Sequence, residues 1–162
     1  MKKVGIIMGS DSDLPIVTKA VNVLKELDIP FEAHVFSAHR TPEQVSDFTR
    51  NAKQNGFGVI IAFAGMAAHL AGAVAANTVL PVIGVPCKSS NLDGLDALLS
   101  TVQMPTGIPV ATVAIDGGAN AGLLAAQILS TADEDLYAKL QAKRASDAQN
   151  VLKKDADVQE KL

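Results

Sequence analysis

Residues 59–65 read VIIAFAG, an apolar run that contains no charged side chain. Four similar runs begin near Lys3, Phe31, Pro81 and Pro109, and with the run that begins near Gly58 their starts lie 28, 27, 23 and 28 residues apart. Continuous apolar runs are typical of parallel strands that are buried on both faces, and such strands need long crossover connections. The spacing therefore predicts five parallel strands with a helix after each.

The segments between these runs have helical periodicity. After the first run, apolar residues recur at steps of three and four, at positions 16, 20, 23, 24 and 27. Helices that alternate with parallel strands cover both faces of the sheet. The predicted fold class is a three-layer α/β domain with a five-stranded parallel sheet.

One helix start carries a capping-box pattern. Thr41 and Gln44 flank Pro42, a residue whose fixed φ suits the first helical position. The pattern predicts that a helix begins there and that the second strand ends just before Thr41.

The chain divides by composition at residue 132. Residues 133–162 hold 13 of the 31 charged residues. We interpret residues 1–162 as a single domain, with an α/β body over 1–132 that carries the active site and a helical extension over 133–162. Leu136, Leu140, Val151 and Leu152 fit one or two amphipathic helices that pack outside the sheet.

Composition excludes several functional classes. A net charge of -3, six aromatic residues and no Trp provide neither a basic surface nor stacking platforms for nucleic acid. No apolar stretch reaches the roughly 20 residues of a membrane span, and the first apolar run is too short for a signal peptide. A single Cys permits no internal disulfide. We expect a soluble, cytoplasmic protein without nucleic-acid or membrane partners.

The chain is richer in apolar residues than an ordinary domain. Charged residues reach only 19% of the sequence, against about 25% in typical soluble domains. The helices read as AAHLAGAVAANT and AGLLAAQILS have almost no charged face. We expect partner subunits of the same chain to cover them.

Polar residues follow the first predicted strand at Gly9, Ser10, Asp11, Ser12 and Asp13. Loops after parallel strands meet at one edge of the sheet, where ligands bind. The loop fits an anion and hydroxyl site at a helix N-terminus, or simple N-capping by Ser or Asp. Neither a GxGxxG nor a GxxxxGK[ST] sequence is present.

The second loop, from Ser37 through Ala38 to His39 and Arg40, carries an imidazole and a guanidinium. The imidazole can transfer protons near neutral pH, and the guanidinium can bind phosphate or carboxylate. A surface His beside an Arg that is paired with an acid is the alternative. If Asp13 lies near His39, the pair is suited to acid/base work.

The third loop has small residues at Ala64 and Gly65, then Met66 and His69. It could form the floor under a flat ligand with His69 as a polar contact, or His69 could be a buried residue bonded to backbone. We expect His34 to be structural and Cys87 to act as a small buried hydrophobe. No His, Cys or Asp spacing predicts a metal site.

Together the motifs GSDSD, SAHRTPE, AGMAAHLAG, IGVPCKSS and VQMPTGIPVATVAIDGGANAGLLAAQIL resemble the N5-carboxyaminoimidazole ribonucleotide mutases of purine biosynthesis. The resemblance covers about residues 3–130, in order. It implies a flavodoxin-like (Rossmann-like) sheet in a homo-octamer without a cofactor. It also implies an isomerase that moves a carboxylate from nitrogen to carbon, acting after an ATP-dependent N-carboxylating enzyme.

By the same resemblance, His39 is the general acid/base, and Ser10, Asp13 and Arg40 bind the ribonucleotide. Gly9, Ser12, Ser37, Ala64, Gly65, Met66 and His69 are further candidates for the pocket. The chain departs from the family pattern at Met66, where Gly is common, and at Thr106, where Arg is common. Two alternatives are a direct carboxylase of aminoimidazole ribonucleotide and a non-catalytic flavin or nucleotide-binding module.

Overall fold

A five-stranded parallel sheet forms the centre of the molecule in the computed structural model, which describes residues 1–162. The spatial order of the strands is β2-β1-β3-β4-β5. The strands are β1 (Lys3–Met8), β2 (Phe31–Val35), β3 (Phe57–Gly65), β4 (Val82–Cys87) and β5 (Ala111–Thr112). All four strand pairs are parallel, as the apolar runs predict.

Six helices cover this sheet. They are α1 (Leu14–Glu26), α2 (Pro42–Asn51), α3 (Leu70–Ala75), α4 (Leu95–Val102), α5 (Gly118–Ser130) and α6 (Glu134–Gln159). Apolar residues of α1, α5 and α6 pack on one face of the sheet, and those of α2 and α3 pack on the other. The predicted three-layer α/β class is confirmed.

The central strand β3 holds the two layers together. Every residue from Phe57 to Ala64 is buried, because β1 and β4 pair with its edges and helices cover both of its faces. Ile61 and Phe63 point into one apolar cluster, whereas Ile60 and Ala62 point into the other. This strand carries the site loops at its carboxyl end, next to the ends of β1 and β4.

The second strand ends earlier than its sequence predicts. Strand β2 stops at Val35, and residues 38–40 form a turn before α2 begins at Pro42. The predicted helix start is confirmed, but the capping box is wrong, because the Thr41 side chain makes no capping bond. Thr41 Oγ1 instead accepts a hydrogen bond from the Ser37 backbone N–H at 2.8 Å.

The charged C-terminal segment forms one long helix, α6. Leu136 and Leu140 are buried against the body of the domain, as predicted. The predicted helix outside the sheet includes Val151 and Leu152, but these residues are 64% and 61% exposed, so their predicted packing is wrong for the single chain. Every residue from Arg144 to Leu162 is exposed, so this part of the chain is not covered by the body of the domain.

The predicted location of exposed apolar surface is also wrong. Most residues of α3 are buried, and seven residues of α5 are buried. Small residues permit this packing: the Cβ of an alanine at position 122 would lie 2.9 Å from the Ala20 carbonyl oxygen of α1. The low charge of these helices therefore reflects burial within the chain.

Helix α4 and the turn before it carry the exposed apolar face. Leu95, Leu99 and Val102 lie on one side of this helix and are 46–50% exposed, and Leu92 before it is 70% exposed. The opposite side of α4 buries Ala97 and Thr101. No helix of the chain is both long enough and apolar enough to span a membrane.

Candidate active site

The carboxyl ends of four neighbouring strands surround a cavity of about 680 Å³. Its lining residues come from the carboxyl end of β3, the first residue of α3 and the segments that follow β1, β2, β3 and β4. This is the edge at which open parallel sheets bind ligands. Its volume lies within the range of about 300–1,000 Å³ that is usual for small-molecule sites.

In the loop after β1, Ser10 is extended and directly precedes a 3-10 turn. Ser10 Oγ accepts hydrogen bonds from the Ser12 backbone N–H at 3.3 Å and from Ser12 Oγ at 2.9 Å, which caps the 3-10 turn Asp11–Asp13. Asp13 makes no side-chain capping bond to α1, although it precedes that helix. The Ser10 hydroxyl therefore acts as a cap, whereas the Asp13 carboxyl group does not.

Asp13 is a buried carboxyl group on the cavity wall, 8% exposed. Removal from water raises the pKa of Asp13, because burial disfavours the charged form. The neighbouring Ser10 backbone and Cys87 thiol lower the pKa of Asp13 and offset part of this effect, and the nearby Asp116 carboxylate adds to it. The site therefore contains a carboxyl group that keeps its proton more readily than an exposed one.

Cys87 ends β4 and lies 1% exposed beside this carboxyl group. Burial, together with the negative charges of Asp13 and Asp116, raises the pKa of the Cys87 thiol. A thiol held in this form is a poor nucleophile. The prediction of a small buried residue is confirmed.

A closed turn presents His39 and Arg40 at the end of β2. The Thr41 backbone N–H donates to the Ser37 carbonyl oxygen at 2.8 Å, and the Arg40 backbone N–H donates to Ser37 Oγ at 3.3 Å. Both side chains are exposed and line the cavity. Because the turn is fixed at both ends, it holds the imidazole and guanidinium at the cavity wall.

Arg40 also joins the first two loops. Its Nη2 donates to the Gly9 carbonyl oxygen at 3.0 Å, and no salt bridge occupies the guanidinium. The alternative of an Arg paired with a surface acid is therefore wrong. Asp13 and His39 line the same cavity, but no hydrogen bond joins them.

The third loop supplies the less polar wall. Ala64, Gly65 and Met66 line the cavity. Met66 adopts a φ of 52°, a left-handed conformation that favours glycine. The Gly that is common in the family pattern suits this backbone, and Met adds an exposed side chain at the cavity.

His69 lies outside the residues that line the cavity. Its Nδ1 lies 2.6 Å from the Ser100 carbonyl oxygen of α4, and its side chain is exposed. Since a carbonyl can only accept, Nδ1 carries the proton in this contact. Of the two alternatives predicted for His69, the bond to backbone is present, although the residue is not buried.

His34 lies in β2 with Nε2 2.9 Å from Glu32 Oε1, where its ring stacks on Phe36.

Five cavity residues have no role predicted from the sequence, although they lie in stretches that it places at this edge: Ala38, Ala68, Leu70, Lys88 and Ser89. Lys88 and Ser89 lie in the IGVPCKSS motif directly after β4, and the rule that ligands bind beyond strand ends already places this stretch at the edge of the site. Ala68 and Leu70 have apolar side chains, so nothing in their residue type predicts a contact with a ligand.

The cavity combines proton-transfer groups with cations. One wall presents an imidazole, a buried carboxyl group, serine hydroxyls and a guanidinium, and another is mainly apolar. Nowhere in the chain do three His, Cys, Asp or Glu side chains converge as metal ligands would. Such a site can bind an oxyanion and hydroxyl groups while it moves a proton.

The buried carboxyl group makes a testable prediction about stability. The raised pKa of Asp13 means that the native state retains this proton to higher pH than the unfolded chain, whose carboxyl titrates near 3.8. Stability from this group is therefore greatest below that pH and declines as pH rises through the native pKa. We expect Asp13→Asn to raise the free energy of unfolding at pH 7, with a smaller gain at about pH 4.

Urea denaturation followed by circular dichroism at fixed protein concentration, across this pH range, measures the effect. Asp47→Asn removes a charge from an exposed position on α2 and serves as the matched control. A lower stability of Asp13→Asn than of the unmodified chain at pH 7 would contradict the burial effect.

Comparison with known proteins agrees with this geometry. The chain is 58% identical over 144 residues to the N5-carboxyaminoimidazole ribonucleotide mutase of Pyrococcus abyssi, covering 89% of this chain and 83% of that protein. It is 56% identical over 157 residues to the mutase of the same name from Mycobacterium leprae, covering 97% and 92%.

Among solved structures, the crystal structure of Treponema denticola PurE matches with a TM-score of 0.87 at 31% identity, covering 95% of this chain and 96% of that one. The flavodoxin-like fold that the resemblance implies is confirmed by this match. The family model described as AIR carboxylase matches residues 3–150, which include every loop around the cavity. The sequence, the fold and the edge-of-sheet cavity thus lead to one conclusion: the chain belongs to the AIR carboxylase family, in which its relatives are N5-carboxyaminoimidazole ribonucleotide mutases.

Proposed function

We propose that this chain is an isomerase of purine biosynthesis that converts N5-carboxyaminoimidazole ribonucleotide to 4-carboxy-5-aminoimidazole ribonucleotide. The observation that carries the proposal is sequence identity: more than half of the aligned residues are identical to those of named mutases, along nearly the whole chain. The cavity supports it, because its cations, hydroxyls and apolar wall fit the phosphate, ribose and ring of such a ligand.

The reaction needs a proton carrier and no redox change. The N–C bond to the carboxylate breaks and releases carbon dioxide, while the ring-bound nitrogen takes up a proton. The ring carbon then attacks the retained carbon dioxide. The new C–C bond forms, and the ring carbon loses its proton. Atoms and charges balance, because the proton gained at nitrogen equals the proton lost at carbon.

We assign this proton transfer to His39. The imidazole lines the cavity on a fixed turn and makes no hydrogen bond to another side chain, so both ring nitrogens are free for the ligand. One imidazole can donate a proton to nitrogen and later accept one from carbon. The apolar wall at Ala64 and Gly65 suits the retention of carbon dioxide beside the ring.

We assign ligand binding to the two polar loops. The exposed guanidinium of Arg40 can pair with an oxyanion, and Ser10 presents a hydroxyl beside it. The Asp13 carboxyl group suits ribose hydroxyls, which both donate and accept. Gly9, Ser12 and Ser37 complete this part of the wall.

The active form in this proposal is a homo-octamer. The exposed apolar face of α4, formed by Leu92, Leu95, Leu99 and Val102, is a surface that another subunit would cover. Thr106 lies exposed in the connection that follows α4, so the change from Arg at this position alters the charge near that face. The octameric number itself comes from the family resemblance.

The substrate also implies a functional partner. An N-carboxylated amine loses carbon dioxide readily, so an ATP-dependent enzyme must supply it close to where it is used. Because phosphorylated nucleotides do not cross membranes freely, we place both enzymes in the cytoplasm.

A direct carboxylase is the second candidate, since the matching family model is described as AIR carboxylase. The two activities differ in the substrate that they accept. We expect purified protein to form the 4-carboxy product from the N-carboxylated ribonucleotide without added bicarbonate, as followed by ultraviolet absorbance or chromatography. Product formation only from the uncarboxylated ribonucleotide with bicarbonate would support the carboxylase.

The role of His39 is tested by His39→Asn. We expect turnover to be abolished while the Kd for the product stays within about tenfold, since a proton carrier and not a binding group is lost. His34→Asn changes an imidazole outside the cavity and is the matched control, with near-normal turnover. Near-normal turnover of His39→Asn would remove this residue from the mechanism.

The assembly is tested by light scattering. At micromolar concentration we expect a particle of eight chains, and Leu99→Glu should reduce its mass, because a charge on the apolar face of α4 opposes association. A monomeric unmodified chain would contradict the octamer, and an octameric Leu99→Glu would place the interface elsewhere.

A further inference from the structure

Lys88 is a second cation at the cavity, and the mechanism above does not use it. It directly follows β4 and is one of the residues that line the cavity, across the sheet from the loop that carries Arg40. Its backbone N–H donates to Asp116 Oδ1 at 2.8 Å, which fixes the start of the side chain. The ammonium is therefore presented from an anchored backbone.

The ammonium group has only a weak partner within the chain. Lys88 Nζ lies 3.1 Å from Asp93 Oδ1, and the two side chains are 56% and 84% exposed. Ion pairs between exposed side chains are readily broken, because water competes for both charges. A ligand oxyanion inside the cavity can replace Asp93 as the partner of Lys88.

The order of the strands separates the two cations. Arg40 follows β2 and Lys88 follows β4, with β1 and β3 between them. Three strand spacings amount to roughly 14 Å across the sheet. Side chains that extend inward from these positions can contact opposite ends of one nucleotide-sized ligand.

From this placement we propose that Lys88 is a substrate-binding residue, which exchanges Asp93 for the ligand oxyanion farther from Arg40. The inference rests on the proposed function, because a carboxylated ribonucleotide has two anionic groups, a phosphate and a carboxylate. One cation at each end of the cavity then matches one anion at each end of the ligand.

The test measures binding by calorimetry with three ligands: the 4-carboxy product, the ribonucleotide without the carboxylate, and the carboxylated nucleoside without the phosphate. We expect Lys88→Gln to weaken binding of the product about tenfold, as the loss of one charged hydrogen bond does. It should weaken binding of one truncated ligand equally and leave the other unchanged. The affected ligand identifies the anion that Lys88 contacts.

Two variants separate this role from a general change in charge. Lys53→Gln removes an exposed cation at the opposite edge of the sheet and should leave all three affinities unchanged. Asp93→Asn keeps a residue type that tolerates the φ of 51° at this position, and it frees Lys88 from its partner. This variant should bind the product at least as tightly as the unmodified chain does.

The inference is overturned if Lys88→Gln binds all three ligands within about twofold of the unmodified chain, or weakens both truncated ligands equally. It is also overturned if Asp93→Asn weakens binding as much as Lys88→Gln does, because the ion pair would then shape the loop. If the unmodified chain does not bind the product, the proposed function itself fails, and this outcome is distinct from the others.

Discussion

The burial of β3 from Phe57 to Ala64 determines how the other elements are arranged. This strand is covered on both faces and pairs with β1 and β4 along its two edges. Parallel strands can be connected only by crossovers that pass over a face of the sheet. All connections that leave the carboxyl ends therefore meet at one edge. The cavity is a direct consequence, since its walls are the loops of four strands that end together.

Within that edge, local turns give each side chain its position. The Ser10 hydroxyl closes the first turn, and contacts between Ser37 and Thr41 close the second. These hydrogen bonds involve the serine and threonine residues next to the candidate site residues. Asp13, His39 and Arg40 line the cavity. Burial then raises the pKa of Asp13, because its carboxyl group is removed from water.

Sequence reasoning identified the sheet and most of the cavity for a physical reason. Buried parallel strands must be apolar along their whole length, and polar residues directly after them must lie at the shared edge. It failed where one pattern permits two outcomes. Thr41 has the type and spacing of a helix cap, but its hydroxyl bonds to Ser37, because the turn brings that backbone closer.

The amino-acid sequence alone is enough to predict the succession of strands along the chain, the parallel fold class, the family resemblance and the residues able to carry the chemistry. Which apolar faces are covered depends on the packing of the folded chain: α3 and α5 are mostly buried, whereas one face of α4 and residues 151–152 are exposed. It also placed Lys88 at the cavity and His69 outside it. Burial depends on which elements pack together, and helical periodicity describes only the face of one element.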